Sequence, residues 1–221
     1  IKNKISNVVP IGAPFLYLDK MNKDIRPSKG TLVFPAHSNP DDPRNFRHEV
    51  FLKYIMDNFP KPYTVCLFFL DFHENIINIY SKHNWNVVTA GNRSSPDFLR
   101  NLYEFISKHE HCVSTELGTS LFYTLYLNKK SSYAYKIKLN DKNFYFSKFS
   151  ELMFMDQFKN YKNENKFLLE KIIEPHEGKK LADIELGKEF VKSSEELKKI
   201  VGFDNIYKKN SAKILGKIID L

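Results

Sequence analysis

The 221-residue sequence predicts an α/β chain: a doubly wound, mainly parallel sheet followed by a helical C-terminal tail. Three observations predict it. Between about residues 30 and 137, short apolar runs alternate with segments whose apolar residues repeat at i, i+3 and i+4, the signature of βαβ units. The run Tyr63-Thr-Val-Cys-Leu-Phe-Phe-Leu70 is apolar throughout, as a strand covered on both faces requires. Beyond residue 147 the strand-like runs stop and only helical spacing remains.

The elements follow in order. Thr31–Phe34 reads as a first strand, leading into Pro35-Ala-His-Ser-Asn-Pro-Asp-Asp-Pro43, a loop dense in turn formers. Phe46 to Phe59 carries Phe51, Leu52, Ile55, Met56 and Phe59 at helical spacing. Tyr63–Leu70 is the second strand, Glu74–His83 a helix and Trp85–Thr89 the third strand. The next helix has Ser95 as N-cap, Pro96 at its first position and Asp97 at the positive end, with Phe98, Leu99, Leu102, Phe105 and Ile106 on one face. A fourth strand at His111–Ser114, a helix from Gly118 or Thr119, and a fifth strand at Ser132–Ile137 complete the alternation. In the tail, Phe149–Glu174 reads as helix interrupted by Pro175. Ser193-Ser-Glu-Glu196 resembles a capping box, Gly202 is a stop, and Tyr207–Leu221 forms a terminal helix. The tail is expected to pack back on the sheet. The organisation is thus a lead-in over 1–30, an α/β unit over 31–146 and a helical extension over 147–221.

Composition narrows the function classes. No apolar run approaches the roughly 20 residues of a membrane span, and Ile1-Lys-Asn-Lys4 lacks the apolar core of a signal peptide. Cys66 and Cys112 each sit inside a strand-like run, which suits buried free thiols and a reducing cytoplasm. The net charge of +8 is compatible with nucleic acid, an anionic membrane face or an anionic substrate, and does not choose among them. No zinc-finger spacing, Walker A sequence or G-x-G-x-x-G is present, so nucleic-acid binding rests on charge alone and dinucleotide binding is disfavoured.

Doubly wound sheets bind ligands beyond the carboxyl ends of their strands. Here those ends are His37 and Ser38, Asp71–His73, Ala90–Arg93 and Ser114–Gly118. In His111-Cys-Val-Ser-Thr-Glu-Leu-Gly-Thr-Ser-Leu-Phe-Tyr123 a strand delivers Ser114 to this edge and a helix starts beside Gly118. The first-turn N–H groups of that helix lack intrahelical partners and carry the positive dipole end, which suits a phosphate. Ser114, Thr115, Glu116, Gly118, Thr119 and Ser120 are therefore candidate ligand residues, with Gly91 at the third strand's end. Ser and Thr capping a helix, with Gly making the turn, explains the same residues without a ligand. His37 and Ser38 fall on the same edge, where a histidine can reach a leaving group, although a lone histidine after a strand is more often a hydrogen-bonded structural residue. His109-Glu-His111 could suggest a metal, but alternate strand residues rarely complete a site. Asp71, His73 and His83 either line the cleft or simply end elements.

The ordered blocks Val9-Pro-Ile-Gly-Ala-Pro-Phe-Leu-Tyr17, Gly30-Thr-Leu-Val-Phe-Pro-Ala-His-Ser38, Val88-Thr-Ala-Gly91 with Ser95-Pro-Asp-Phe-Leu99, and Val113–Tyr123 resemble bacterial capsule and lipopolysaccharide glycosyltransferase-like proteins of the GT-B arrangement. The similarity covers roughly residues 8–137. It implies a Rossmann-like nucleotide-sugar-binding domain, with donor phosphates at the helix beginning near Gly118. The His and later Ser-Thr are also similar to the motifs of CMP-sialic acid and CMP-Kdo transferases, which implies that His37 and the hydroxyls meet the phosphate. Those enzymes usually have His-Pro where this chain has His37-Ser38, so UDP- or GDP-sugars stay open beside a favoured CMP-sugar. The resemblance further implies no metal, consistent with the lack of a D-x-D motif, and a glycan or glycolipid acceptor. The Lys-rich helices of the tail are expected to be solvated faces, with peripheral attachment to the anionic cytoplasmic face of the inner membrane as the lesser alternative. Residues 1–30 are too short for the acceptor domain of such enzymes, so they would be its remnant, and the catalytic base need not lie in this chain. A non-catalytic assembly module of a polysaccharide-synthesis complex is the alternative reading.

Overall fold

The structure is a computed structural model that describes residues 8–18, 29–37, 46–116, 118–134 and 172–202. Five strands among them form one sheet: β1 (Thr31–Phe34), β2 (Tyr63–Leu67), β3 (Asn86–Thr89), β4 (His111–Ser114) and β5 (Lys130–Tyr133). All pairings are parallel and the spatial order is β3-β2-β1-β4-β5. The order reverses at β1, so a crevice opens between the carboxyl ends of β1 and β4. The helices are α1 (Phe15–Leu18), α2 (His48–Asn58), α3 (Glu74–Ser81), α4 (Phe98–Ser107), α5 (Thr119–Tyr126), α6 (Pro175–Glu185) and α7 (Ser194–Ile200).

Strand side chains alternate between two buried layers, as the period of two demands. Leu32, Phe34, Cys66 and Cys112 join Phe15, Leu102, Ile106, Leu121, Leu125, Ile173 and Leu181 on one face. Val33, Val65 and Val113 join Phe51, Ile55 and Tyr80 of α2 and α3 on the other. Helices cover both sides of a parallel sheet, and the fold is a Rossmann-like α/β arrangement. Cys66 and Cys112 are buried and free. With β1 between their strands they stand about two strand spacings (~10 Å) apart, beyond disulfide reach.

Several boundaries differ from the sequence expectation. β2 stops at Leu67, the last residue paired with β3, and the chain turns through a 3-10 helix at Phe69–Asp71. Ser95 is not the N-cap of α4. It closes a turn on the Asn92 carbonyl at 2.8 Å, and the helix begins three residues later at Phe98, behind an N-cap at Asp97. β5 starts at Lys130. Its Ser131 and Ser132 are buried, and the Ser131 hydroxyl lies 2.9 Å from that of Thr124, so polar residues hide a core strand. Its expected end at 135–137 lies outside the described residues.

In the tail, Pro175 does not interrupt a helix. It occupies the first position of α6, where its missing N–H costs nothing. Ile173 is not helical either, and exchanges two backbone hydrogen bonds with Ser131 as an antiparallel bridge. The helix expected over 149–171 and the terminal helix over 207–221 lie outside the described residues. The capping box before α7 is present: the Glu196 N–H donates to Ser193 Oγ, and the Ser193 N–H donates to Glu196 Oε2 at 2.8 Å.

The sequence reading missed α1. Phe15 stacks on Tyr123 of α5 with ring centroids 3.9 Å apart, and the Ala13 N–H donates to the Leu186 carbonyl at 2.8 Å. Residues 8–18 and 172–192 thus share one layer over α5. No helix among the described residues is long and apolar enough to cross a membrane.

Candidate functional site

A cavity of about 280 Å³ lies at the carboxyl ends of β1 to β4, on the face shared with α4 and α5. Its floor is Phe34, Cys66 and Ala90, its walls include Phe68, Phe98, Leu102 and Tyr123, and its polar lining comprises His37, Arg93, Ser114, Glu116, Thr119 and Ser120. Gly91 and Gly118 also line it. The position follows from the topology, because loops leaving either side of the reversal diverge and leave a gap.

The β4–α5 connection is built by Ser114. Its hydroxyl accepts from the Glu116 N–H at 3.2 Å, donates to the Glu116 carbonyl at 2.9 Å, and lies 3.4 Å from Ser120 Oγ. Gly118 is the N-cap of α5 and provides no side-chain cap. The first-turn N–H groups of Thr119, Ser120 and Leu121 therefore receive no side-chain oxygen from the N-cap, and Gly118, Thr119 and Ser120 border the cavity. Gly118 has φ −150°, an extended conformation open to any residue, and a Cβ there would meet no atom within 4 Å. Neither backbone strain nor packing requires this glycine; what it does is keep the space above the helix start empty. Gly91 differs: φ is +88°, in the left-handed region, and its N–H donates to Thr89 Oγ1 at 3.1 Å.

The structure gathers His37, Gly91, Ser114, Glu116, Gly118, Thr119 and Ser120 around one cavity. His37 is exposed at the mouth, its ring 4.9 Å from that of Phe68. Ser38 lies outside the described residues. Thr115 departs from the expectation: it is fully buried, does not line the cavity, and its hydroxyl has no hydrogen-bond partner among the described residues. It follows Ser114 on a strand, so the alternation that points Ser114 at the cavity turns Thr115 away. Arg93, Phe68, Phe98, Tyr123 and Cys66 were not singled out as ligand residues from sequence. Arg93 stood within the Ala90–Arg93 strand end, but the aromatic residues read as core. Burial pushes the Cys66 thiol up to about 12, so it stays protonated on the floor.

Other titratable groups take structural places. Asp71 and His73 do not line the cavity: Asp71 is buried near His48, and His73 is the exposed N-cap of α3. His48 Nδ1 and the Tyr80 hydroxyl are 2.8 Å apart in the opposite layer, and burial lowers the His48 pKa. His83 borders a separate depression between α2 and α3, with Glu49, Lys53 and Lys82. Both ring nitrogens of His109 are engaged, Nδ1 with the Phe105 carbonyl at 2.6 Å and Nε2 with Thr64 Oγ1 at 2.8 Å. His109 is therefore no metal ligand here, and no three-residue metal-binding group exists among the described residues.

No family model and no curated protein matches the chain. Solved structures similar to it in part include a polymerase and an epimerase. The wall teichoic acid polymerase TagF shares 12% identity at a TM-score of 0.32, over 79% of this chain and 48% of that one. UDP-GlcNAc 2-epimerase from Neisseria meningitidis, solved with UDP-GlcNAc bound, shares 11% identity at a TM-score of 0.35, over 80% of this chain and 45% of that one. The chain spans about half the length of either structure.

Proposed function

We propose that this chain binds a nucleotide-sugar donor and acts as a glycosyltransferase, or as the donor-binding domain of one, with a GT-B arrangement and a surface polysaccharide or lipopolysaccharide as acceptor. One observation carries the reading. The uncapped start of α5, open above Gly118, borders a cavity of about 280 Å³ at the point where the strand order reverses. That combination offers backbone N–H groups and the positive helix end to an anion, beside an apolar floor for the rest of the ligand.

In this reading the donor phosphate sits over Gly118, with the hydroxyls of Thr119 and Ser120 donating to it. Ser114 holds the turn through its bonds to Glu116 and reaches Ser120. The Glu116 carboxylate accepts from a ribose or sugar hydroxyl, since it would repel the phosphate. His37 donates to the nucleotide as the sugar–phosphate bond breaks and the electron pair leaves with the phosphate oxygen. Stabilising that developing charge is where a site of this kind gains rate. Donor preference is CMP-sugar over UDP- or GDP-sugar, no metal is needed, and the setting is cytoplasmic, at the inner-membrane periphery.

The test is a thermal-shift and calorimetry series with CMP, UDP, GDP and their sugars. A nucleotide at 100 times its Kd stabilises the chain by about 2.7 kcal/mol. Thr119→Ala with Ser120→Ala is expected to weaken binding by roughly 10-fold or more while leaving the unliganded melting temperature unchanged. Unchanged affinity in the double variant, or no response to any nucleotide, refutes the assignment.

A further inference from the structure

We propose that Arg93 is the residue that sets the charge of the ligand, pairing with its anionic group from the side of the cavity formed by the β3–α4 loop. Arg93 lines the same cavity as Ser114, Thr119 and Ser120. Some cations of the described residues have acidic partners: Arg100 with Asp97, Lys108 with Glu104, Lys130 with Glu110 and Lys188 with Asp183. No such partner is found for Arg93 among the described residues, although Asp97 is only four residues on and already pairs with Arg100 at 3.0 Å.

The loop carrying Arg93 is held at both ends. The Ser94 N–H donates to Asn92 Oδ1 at 2.9 Å, and Asn101 Nδ2 of α4 donates to the Ala90 carbonyl at 3.2 Å. The guanidinium thus has a defined base beside a mostly apolar wall. A sphere of the cavity's volume is about 8 Å across, no more than the screening length of about 8 Å at physiological salt. A cation on one wall therefore acts on whatever the cavity holds. Two parallel N–H groups in the guanidinium fork match two phosphate oxygens, a geometry a lysine cannot reproduce. The volume is at the small end of ligand pockets and suits one nucleoside phosphate, with any attached sugar extending outside.

The ligand's identity rests on the nucleotide reading above; its anionic charge does not. Calorimetry on the whole chain with CMP, cytidine and inorganic pyrophosphate separates the two. Arg93→Gln is expected to weaken CMP and pyrophosphate by about 10- to 100-fold, to leave cytidine unchanged, and to keep the wild-type melting temperature. Arg93→Lys is expected to recover part of the loss by restoring charge without the fork. Pyrophosphate binding that depends on Arg93, with no nucleotide bound, supports the anion role and overturns the nucleotide reading. Equal CMP affinity in wild type and Arg93→Gln, an equal loss for cytidine, or no binding of CMP and pyrophosphate by the wild type overturns the role of Arg93.

Discussion

Replacing His109 by alanine tests the buried polar join between α4 and the sheet. The Phe105 carbonyl can only accept, so the bond at 2.6 Å requires Nδ1 to carry the proton, and neutral Nε2 then accepts from the Thr64 hydroxyl at 2.8 Å. Both His109 and Thr64 are buried. Two hydrogen bonds at about 1 kcal/mol each, plus the stranded Thr64 hydroxyl and the space left by the ring, amount to about 3 kcal/mol. Urea unfolding at pH 7.5 should show that loss as a midpoint shift on the order of 1 M. The sign of the pH effect follows from the same geometry. Burial, reinforced by Lys129 and Lys108 against the Phe105 carbonyl, holds the His109 pKa below its ordinary 6.5. The unfolded chain takes up its proton first, so stability is complete above about pH 6.5 and falls as the pH drops below it, by at most about 1.4 kcal/mol per unit for this group. His48 and His111 are shifted the same way, chiefly by burial, so the variant should keep part of the acid sensitivity and lose the rest. A variant within about 0.5 kcal/mol of wild type at pH 7.5, or one whose stability falls between pH 7.5 and 5.5 as steeply as wild type, refutes the reasoning.

Further outcomes follow from single contacts. Gly118→Val should cost no more than about 1 kcal/mol in urea unfolding, because a Cβ there meets no atom within 4 Å and only the N-cap preference is lost, yet abolish nucleotide binding by filling the space above α5; retained calorimetric affinity would show that nothing sits there. Gly30→Ala should be strongly destabilising, on the order of 3 kcal/mol or more by thermal melting, since φ is +75° and a Cβ would overlap Pro62. Truncation after residue 171 removes Ile173, Leu181, Ala182 and Leu186 from the core beside α5, so the shortened chain should lack a cooperative melting transition. Cys66 and Cys112, both pushed up to about 12 by burial, should react with an aromatic disulfide reagent only after denaturant is added; fast native reaction would contradict their burial.

Much of the α/β alternation was legible because a strand covered on both faces is built mostly of apolar, aromatic and β-branched residues, as Thr31–Phe34 and Tyr63–Leu67 are. β5 resisted the same logic. Ser131 and Ser132 are buried, the Ser131 hydroxyl bonding Thr124 and the Lys129 carbonyl, so local hydrophobicity did not mark the strand's start. At the site, the alternation that aimed Ser114 inward also excluded Thr115, a distinction that chemistry alone does not make between adjacent Ser and Thr. Arg93, Phe98 and Tyr123 looked ordinary in sequence, because lining a cavity depends on which helix covers which strand end.

By itself the sequence determined the class of fold, the carboxyl-edge placement of its turn-rich and hydroxyl-rich segments, and the capping box of α7. Each rests on interactions within a few residues, or on a face being buried at all. Tertiary structure alone decided the order β3-β2-β1-β4-β5 and therefore which strand ends share a crevice. It also decided that Phe15 stacks on Tyr123, that Pro175 opens a helix, and that Ile173 bridges to Ser131. Apart from the place of Pro175, these depend on partners brought together across about 20 to more than 100 residues, and local pattern carries no record of who those partners are.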